Sequence, residues 1–319
     1  MQTILSILNS LPGAVAQGLI WGIMAIGVYI TYRILDIADL TVDGSLATGG
    51  AVAAIAISVW NLDPWVALLL AILSGMAAGL VTVIFHAVCG IPAILSGILT
   101  QLALYSINLR VLAIGLEATT NANVPLQPRF NDYEVLVNSF YIRQLSLKNP
   151  LILLAILVVA VIGILYWFFG SETGSALRAT GANGNMARAQ GINTNSAKIL
   201  GLVISNGMVA LAGALLAQYS GSATVDMGKG AIVIGLAAII IGEVLLSKVF
   251  RNFALKLLAC VVGAILYYLV VTLVLRMGLE TSDLNLLTAL VVALFLAIPY
   301  WKTKYFDKLG NGGLHHVRH

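Results

Sequence analysis

The side chains in this chain that could do chemistry are few, and the acids come first. Asp36, Asp39 and Asp43 put three carboxyls within eight residues, in the stretch DIADLTVDGSLATGG. Acids gathered in a pocket would suit proton transfer. Acids just ahead of a helix more commonly cap its free N–H groups and face its positive dipole end. Glu243, in IIIGEVLL, is a separate case, because an acid inside an apolar span is costly and must face protein or water. It also lies close enough to Lys248 to be merely interfacial. No further catalytic pattern is present: GxxxxGK[ST], HExxH, CxxC and GxSxG are all missing, so the chain binds no ATP by a phosphate loop. His86 falls at a turn, and His315, His316 and His319 fall in the tail, which reads as a solvated segment rather than a metal site. Cys89 and Cys260 stand alone, without disulfide or metal spacing.

The elements that must position these residues are membrane spans. Of 319 residues 60% are hydrophobic and only 9% charged, where a soluble domain carries roughly a quarter charged residues. Mean hydropathy is +0.99. The expected fold is all-α: one polytopic helical bundle spanning residues 1–319, with eight to ten crossings. Apolar runs place them at 11–32, 46–60, 64–85, 93–114, 151–169, 197–219, 231–246, 253–276 and 284–300. The second run is short for a crossing of about 20 residues, which predicts a broken or partly re-entrant helix. The first run follows an uncharged N-terminus and is too long for a cleavable signal peptide. The net charge of +4 is no sign of nucleic-acid binding, since basic residues in such proteins mark the cytoplasmic side.

Polar residues within the spans are pointers of a different kind. Ser96, Thr100, Gln101, Ser106 and Asn108 punctuate one span, several of them on one side of a helix. Ser205 and Asn206 lie mid-span in another. For Ser and Thr, back-bonding to their own helix usually wins. For Gln101 and Asn206, interhelical glue and pathway lining are both open. With Thr41, Asp43, Ser45, Ser96, Asn108 and Glu243 they form the candidate lining of a pathway through the spans. Gly75 with Gly79, and Gly201 with Ser205, have small-xxx-small spacing, which predicts close helix packing.

Residues 115–149 turn polar, and Pro125 and Pro128 argue against helix there. The alternation of Tyr133, Val135 and Val137, then Phe140 and Ile142, suggests short strands or a small hairpin. A long polar, Gly- and Asn-punctuated insert between two strongly apolar spans is SETGSALRATGANGNMARAQG, residues 171–191. Gly181-Ala182-Asn183 reads as a break between two short helices, with Asn183 capping the second. Such an element lies on a membrane surface, either as an ordinary basic loop or as a docking element for a soluble partner. With this insert cytoplasmic, alternation puts eleven Lys and Arg inside and six outside, the expected bias. Residues 115–149 then face the outside, and the tail 302–319 lies inside. One internal echo also stands out. Thr41-Val42-Asp43-Gly44 and Thr224-Val225-Asp226-Met227-Gly228 each precede an apolar, Gly/Ala-containing run, from opposite sides, as an inverted repeat would have it.

The run GSALRATGANGNMARAQGINTNSAKILGLVISNGMVALAGALLAQYSG, residues 174–221, resembles the permease subunits of branched-chain-amino-acid-type ABC importers. Leu177, Arg178, Ala179, Gly181, Asn183, Ala187, Gly191, Ile192 and Asn193 stand where that family's pattern expects them. RILDIADLTVDGSLATGGAVAA, residues 33–54, is similar to a subgroup of importers for amino acids, notably tryptophan-like ones. The resemblance implies a bacterial cytoplasmic-membrane transport subunit that is not itself an enzyme and binds no cofactor. It implies a second permease copy, two cytoplasmic ATPase subunits holding ATP and Mg, and an extracytoplasmic binding protein. Residues 171–195, with Arg188 among them, would be the coupling helices docking in those ATPases. One departure is Gly242-Glu243, where the family commonly has a glycine pair. The competing class is a secondary transporter driven by an ion gradient, with Glu243 or Asp43 taking the proton.

Overall fold

A computed structural model describes residues 2–116, 118–126, 135–137, 139, 149–246, 252–276, 286, 289–290, 292–294 and 297, with side chains from Ser10 onward. Helix α1 (Gln2–Tyr29) continues into a π-helical turn, Ile30–Ile34. After a non-helical stretch comes α2 (Val42–Ser58), only 17 residues long and almost wholly buried. The start of α3 (Pro64–Val83) is fixed locally: Asp63 accepts the Trp65 N–H at 2.8 Å and Pro64 occupies the first turn. A second π-helical turn, Ile84–Val88, ends it, and α4 (Ala93–Val111) follows. Strand β1 (Asn123–Pro125) precedes α5 (Pro150–Gly170), which Asn149 and Pro150 start just as Asp63 and Pro64 start α3. Then come α6 (Glu172–Ala182), α7 (Gly184–Ala189) and the 27-residue α8 (Thr194–Ser220), closed by left-handed Gly221. Strand β2 (Ser222–Thr224), a 3₁₀ turn (Val225–Gly228), α9 (Ala231–Leu246) and α10 (Phe253–Arg276) complete the described chain.

Among the described residues seven helices are long and apolar enough to cross a membrane, and α2 adds a shorter eighth. That matches the expected polytopic bundle. The crossing expected at 284–300 and the tail 302–319 fall largely or wholly outside the described residues.

Helix α8 is the central post, packed against α3, α2 and α1, while α10 packs on α1 and α9. Small residues set these distances. A Cβ on Gly75 or Gly79 would run into Asn206, Ala210 or the Leu202 carbonyl of α8. Gly49 lies on the Ala210 backbone, and Gly213 on that of Leu46. Helices α2 and α3 thus touch α8 backbone to backbone, as the spacing of Gly75 and Gly79 predicts.

One expectation needs correction. The second crossing has no break inside its helix: α2 is continuous, and the non-helical part is the segment leading into it, from Leu35 to Thr41. The polar stretch 115–149 contains a short strand, β1, which pairs antiparallel with β2, Val124 opposite Ala223. Val135 and Val137 belong to no strand, and Tyr133, Phe140 and Ile142 lie outside the described residues. A three-residue strand gains too little alone, and β2 offers it an edge anchored to the central post.

Candidate functional site: a discontinuous centre and the helix pair beneath it

The insert folds as its polar residues dictate. Ser171 Oγ accepts the Gly174 N–H at 3.3 Å at the start of α6. Asn183 breaks the helix and caps α7, accepting the Met186 N–H at 3.1 Å. Gly191, at φ 82°, turns the chain into α8, where Asn193 accepts from Asn195 and Ser196. Eight of the ten residues singled out here divide into two faces. Leu177 and Ala187 are buried and Ala179 and Gly181 half-buried, whereas Arg178, Asn183, Arg188 and Gly191 are exposed. The inner face has a definite seat. Gly181 lies against the carbonyl of Ile34 and the Cα of Leu35, with no room for a Cβ, and Leu177 meets Leu35 over Gly201.

Ile34 and Leu35 open the non-helical segment that enters the bundle. Asp36 adopts φ 55°, which reverses the chain. Asp39 is 3% exposed and engaged on both oxygens. Its Oδ1 accepts the Thr41 N–H at 2.9 Å, and its Oδ2 accepts Asn206 Nδ2–H at 2.7 Å. Asn206, near the middle of α8, also donates to the Leu202 carbonyl at 3.0 Å and accepts Ser45 Oγ–H at 2.6 Å. The hydroxyls of Thr41 and Thr82 hydrogen-bond to each other at 2.7 Å, and Thr82 also lies 3.2 Å from the Ala78 carbonyl. One polar knot therefore ties the entering segment to α2, α3 and α8.

Asp43 behaves unlike an ordinary cap. It lies in the first turn of α2, yet its carboxyl accepts the N–H groups of Gly230 and Ile232, each at 3.0 Å, at the start of α9. The expectation that it caps the helix following it is corrected: α2 has no side-chain cap, and Asp43 serves α9 instead. The two echo segments meet here. Gly228 lies on the Asp43 carbonyl and Met227 packs on Gly50. From this point α2 runs to Val59, which touches Gly115 near β1, while α9 runs the other way to Glu243, beside Arg33. The N-termini of α2 and α9 thus meet at Asp43, from which the two helices run to opposite ends.

The remaining predicted residues spread out. On α4, Ser96 and Thr100 are buried and bond back to the carbonyls of Ala93 and Ser96, while Ser106 is exposed. Gln101 is half-buried, its Cα beside Gly44. Asn108 is 1% exposed, with neither amide atom bonded among the described residues. Glu243 is far from this centre, paired at 2.9 Å with Arg33 and 34% exposed. Sequence reading missed Asp39 as a member of the knot, although the acid triplet contained it. It also missed Thr82, which carries no local signal, and Arg33 as the partner of Glu243.

A polytopic helical bundle in which α2 and α9 meet N-terminus to N-terminus at Asp43, with a polar helix pair seated under the segment that enters α2, defines a multi-pass membrane transport protein. The chain belongs to the branched-chain amino acid transport system / permease component family, which it matches over residues 11–305. It is 39% identical over 290 residues to the tyrosine transport system permease protein of Clostridioides difficile (strain R20291), covering 91% of each chain. It is 33% identical over 295 residues to an uncharacterized protein of Rickettsia prowazekii (strain Madrid E), covering 91% of this chain and 98% of that one. No solved structure matches it. The chain is thus a permease component of an amino-acid ABC transport system, a transport subunit.

Proposed function

We propose that this chain is one of two identical permease copies in an ATP-driven importer of the bacterial cytoplasmic membrane. Two cytoplasmic ATPase subunits hold ATP and Mg, and an extracytoplasmic binding protein delivers the solute. The α6–α7 pair and the C-terminal tail face the cytoplasm. ATP binding draws the ATPases together, α6 moves with them, and the pathway opens outward to take substrate, returning by alternating access. The observation that carries this reading is the seat of Gly181 on Ile34 and Leu35. A displacement of α6 reaches the Asp39–Asn206 knot along one short piece of backbone. The exposed Arg178 and Arg188 supply the outer face for a partner.

The solute is an amino acid, and an aromatic one. The tyrosine permease relative supports this, as does an interior whose polar groups are mostly hydroxyls and amides, suited to a small zwitterion. The gradient-driven alternative draws no support from the acids it would need, because Asp43 is committed to the α9 N-terminus and Glu243 to Arg33.

The test is affinity capture of the tagged protein from native membranes, with the co-purifying material assayed for vanadate-sensitive ATPase activity. A stoichiometric ATPase is the expected result. A partner-free protein that transports in proteoliposomes under a proton or sodium gradient would overturn the reading.

A further inference from the structure

At the α6 end of the bundle two adjoining cavities share Arg178, Asn252 and Phe253. One, of about 480 Å³, is bordered by Arg33 and Lys256; the other, of about 570 Å³, by Tyr166, Trp167 and Phe169. Their charges are unequal in status. Arg33 is neutralised by Glu243, whereas among the described residues the Arg178 guanidinium reaches only Ser175 Oγ, at 3.3 Å. Among the described residues Lys256 is exposed and has no ion-pair partner. Two cations thus border one polar hollow with no acid among the described residues to match them.

The apolar half argues for what fills it. Trp167 is 77% exposed and Tyr166 50%, in the last turn of α5 before the chain leaves its apolar span at Ser171. Amphipathic rings at that position belong in the headgroup layer. Along the surface the order is apolar helix, aromatic rings, then unpaired cations, which is the order of acyl chain, glycerol esters and phosphate in a phospholipid. A free phosphate would use the cations and leave the aromatic hollow idle. Basic pockets between spans on the cytoplasmic side bind anionic headgroups.

We propose that the paired cavity binds one anionic glycerophospholipid, its phosphate at Arg178 and Lys256, its glycerol esters at Tyr166, Trp167 and Phe253 and its acyl chains along the apolar face of α5. Arg178 also lies on the exposed face of α6, so lipid occupancy and that face share a side chain. Assigning the lipid to the inner leaflet rests on the proposed orientation; the binding itself does not.

The test uses the purified chain alone, so that it stands apart from whether an ATPase partner exists. Native mass spectrometry in mild detergent compares phosphatidylglycerol with phosphatidylcholine of the same acyl chains, with inorganic phosphate as competitor. One phosphatidylglycerol per chain is expected to be retained preferentially. Lys256→Gln should weaken it about fivefold, one cation's worth at a membrane surface, and Lys256→Arg should restore it. Trp167→Ala should weaken both lipids. Equal retention of the two lipids by the unaltered chain, or an undiminished preference in Lys256→Gln, would overturn the proposal. So would complete displacement by inorganic phosphate, the mark of a free-anion site.

Discussion

Asn206 spends its whole amide, donating to Asp39 and the Leu202 carbonyl and accepting from Ser45. Removing it strands a buried carboxyl, so Asn206→Leu should lower stability by about 1–3 kcal/mol in a thermal-unfolding assay in micelles. Asp39→Asn should cost less, since its single amide oxygen keeps one of two bonds. In a double-mutant cycle the two costs should fall short of adding; additivity would mean the bond does not join these segments. Glu243 is the contrast. Its pair with Arg33 is partly exposed, at 57% for Arg33 and 34% for Glu243, and exposed pairs contribute no more than about 1 kcal/mol. Glu243→Gln should therefore leave uptake in proteoliposomes intact, and a collapse of uptake would return the residue to the pathway. The chemistry of both residues was visible in the sequence, but their partners were not, because 167 and 210 residues separate each from its own.

At the scale of elements, α6 and α7 were legible because their signals are local. Ser171, Asn183 and Asn193 each cap a helix within three residues of themselves, and a break between caps needs no tertiary help. Their seat was not legible, since Gly181 looks like a helix breaker and is in fact a contact surface. Gly181→Ala should push α6 off Ile34 and Leu35. Uptake by the assembled importer should fall about tenfold or more, a loss of ~1.4 kcal/mol of coupling, while ATP hydrolysis continues. Arg178→Ala, on the exposed face, should instead reduce ATPase capture with the permease still folded. If both variants transport normally, the helix pair is an ordinary loop. The discontinuity of the second crossing was half legible: a short apolar run announced it, but not that the irregular part precedes the helix and is held by Asp39.

For the molecule as a whole, the sidedness that the charge bias predicts can be checked with the native thiols. Cys89 is exposed just beyond the π-helical turn whose His86 lies 3.4 Å from Lys198, at the end that carries α6 and α7. Cys260 is buried. A membrane-impermeant maleimide should label Cys89 in inside-out vesicles and not in intact cells, and should leave Cys260 untouched in both. Labelling from the cell exterior would invert the topology and remove the ATPase from the α6–α7 face.

Composition and spacing by themselves determined the membrane compartment, the run of spans, the small-residue seams on α3, and the capped helix pair between α5 and α8. Each of these depends on transfer from water or on partners within one helical turn, and both are written in consecutive residues. Only the tertiary structure decided that Asp43 caps α9 rather than α2, that β1 finds β2, and that Asp39 is tied to Asn206. Those choices are made by which backbones can approach. Here Gly49, Gly75, Gly79, Gly213 and Gly228 let the segments close until distant polar groups come within hydrogen-bond reach.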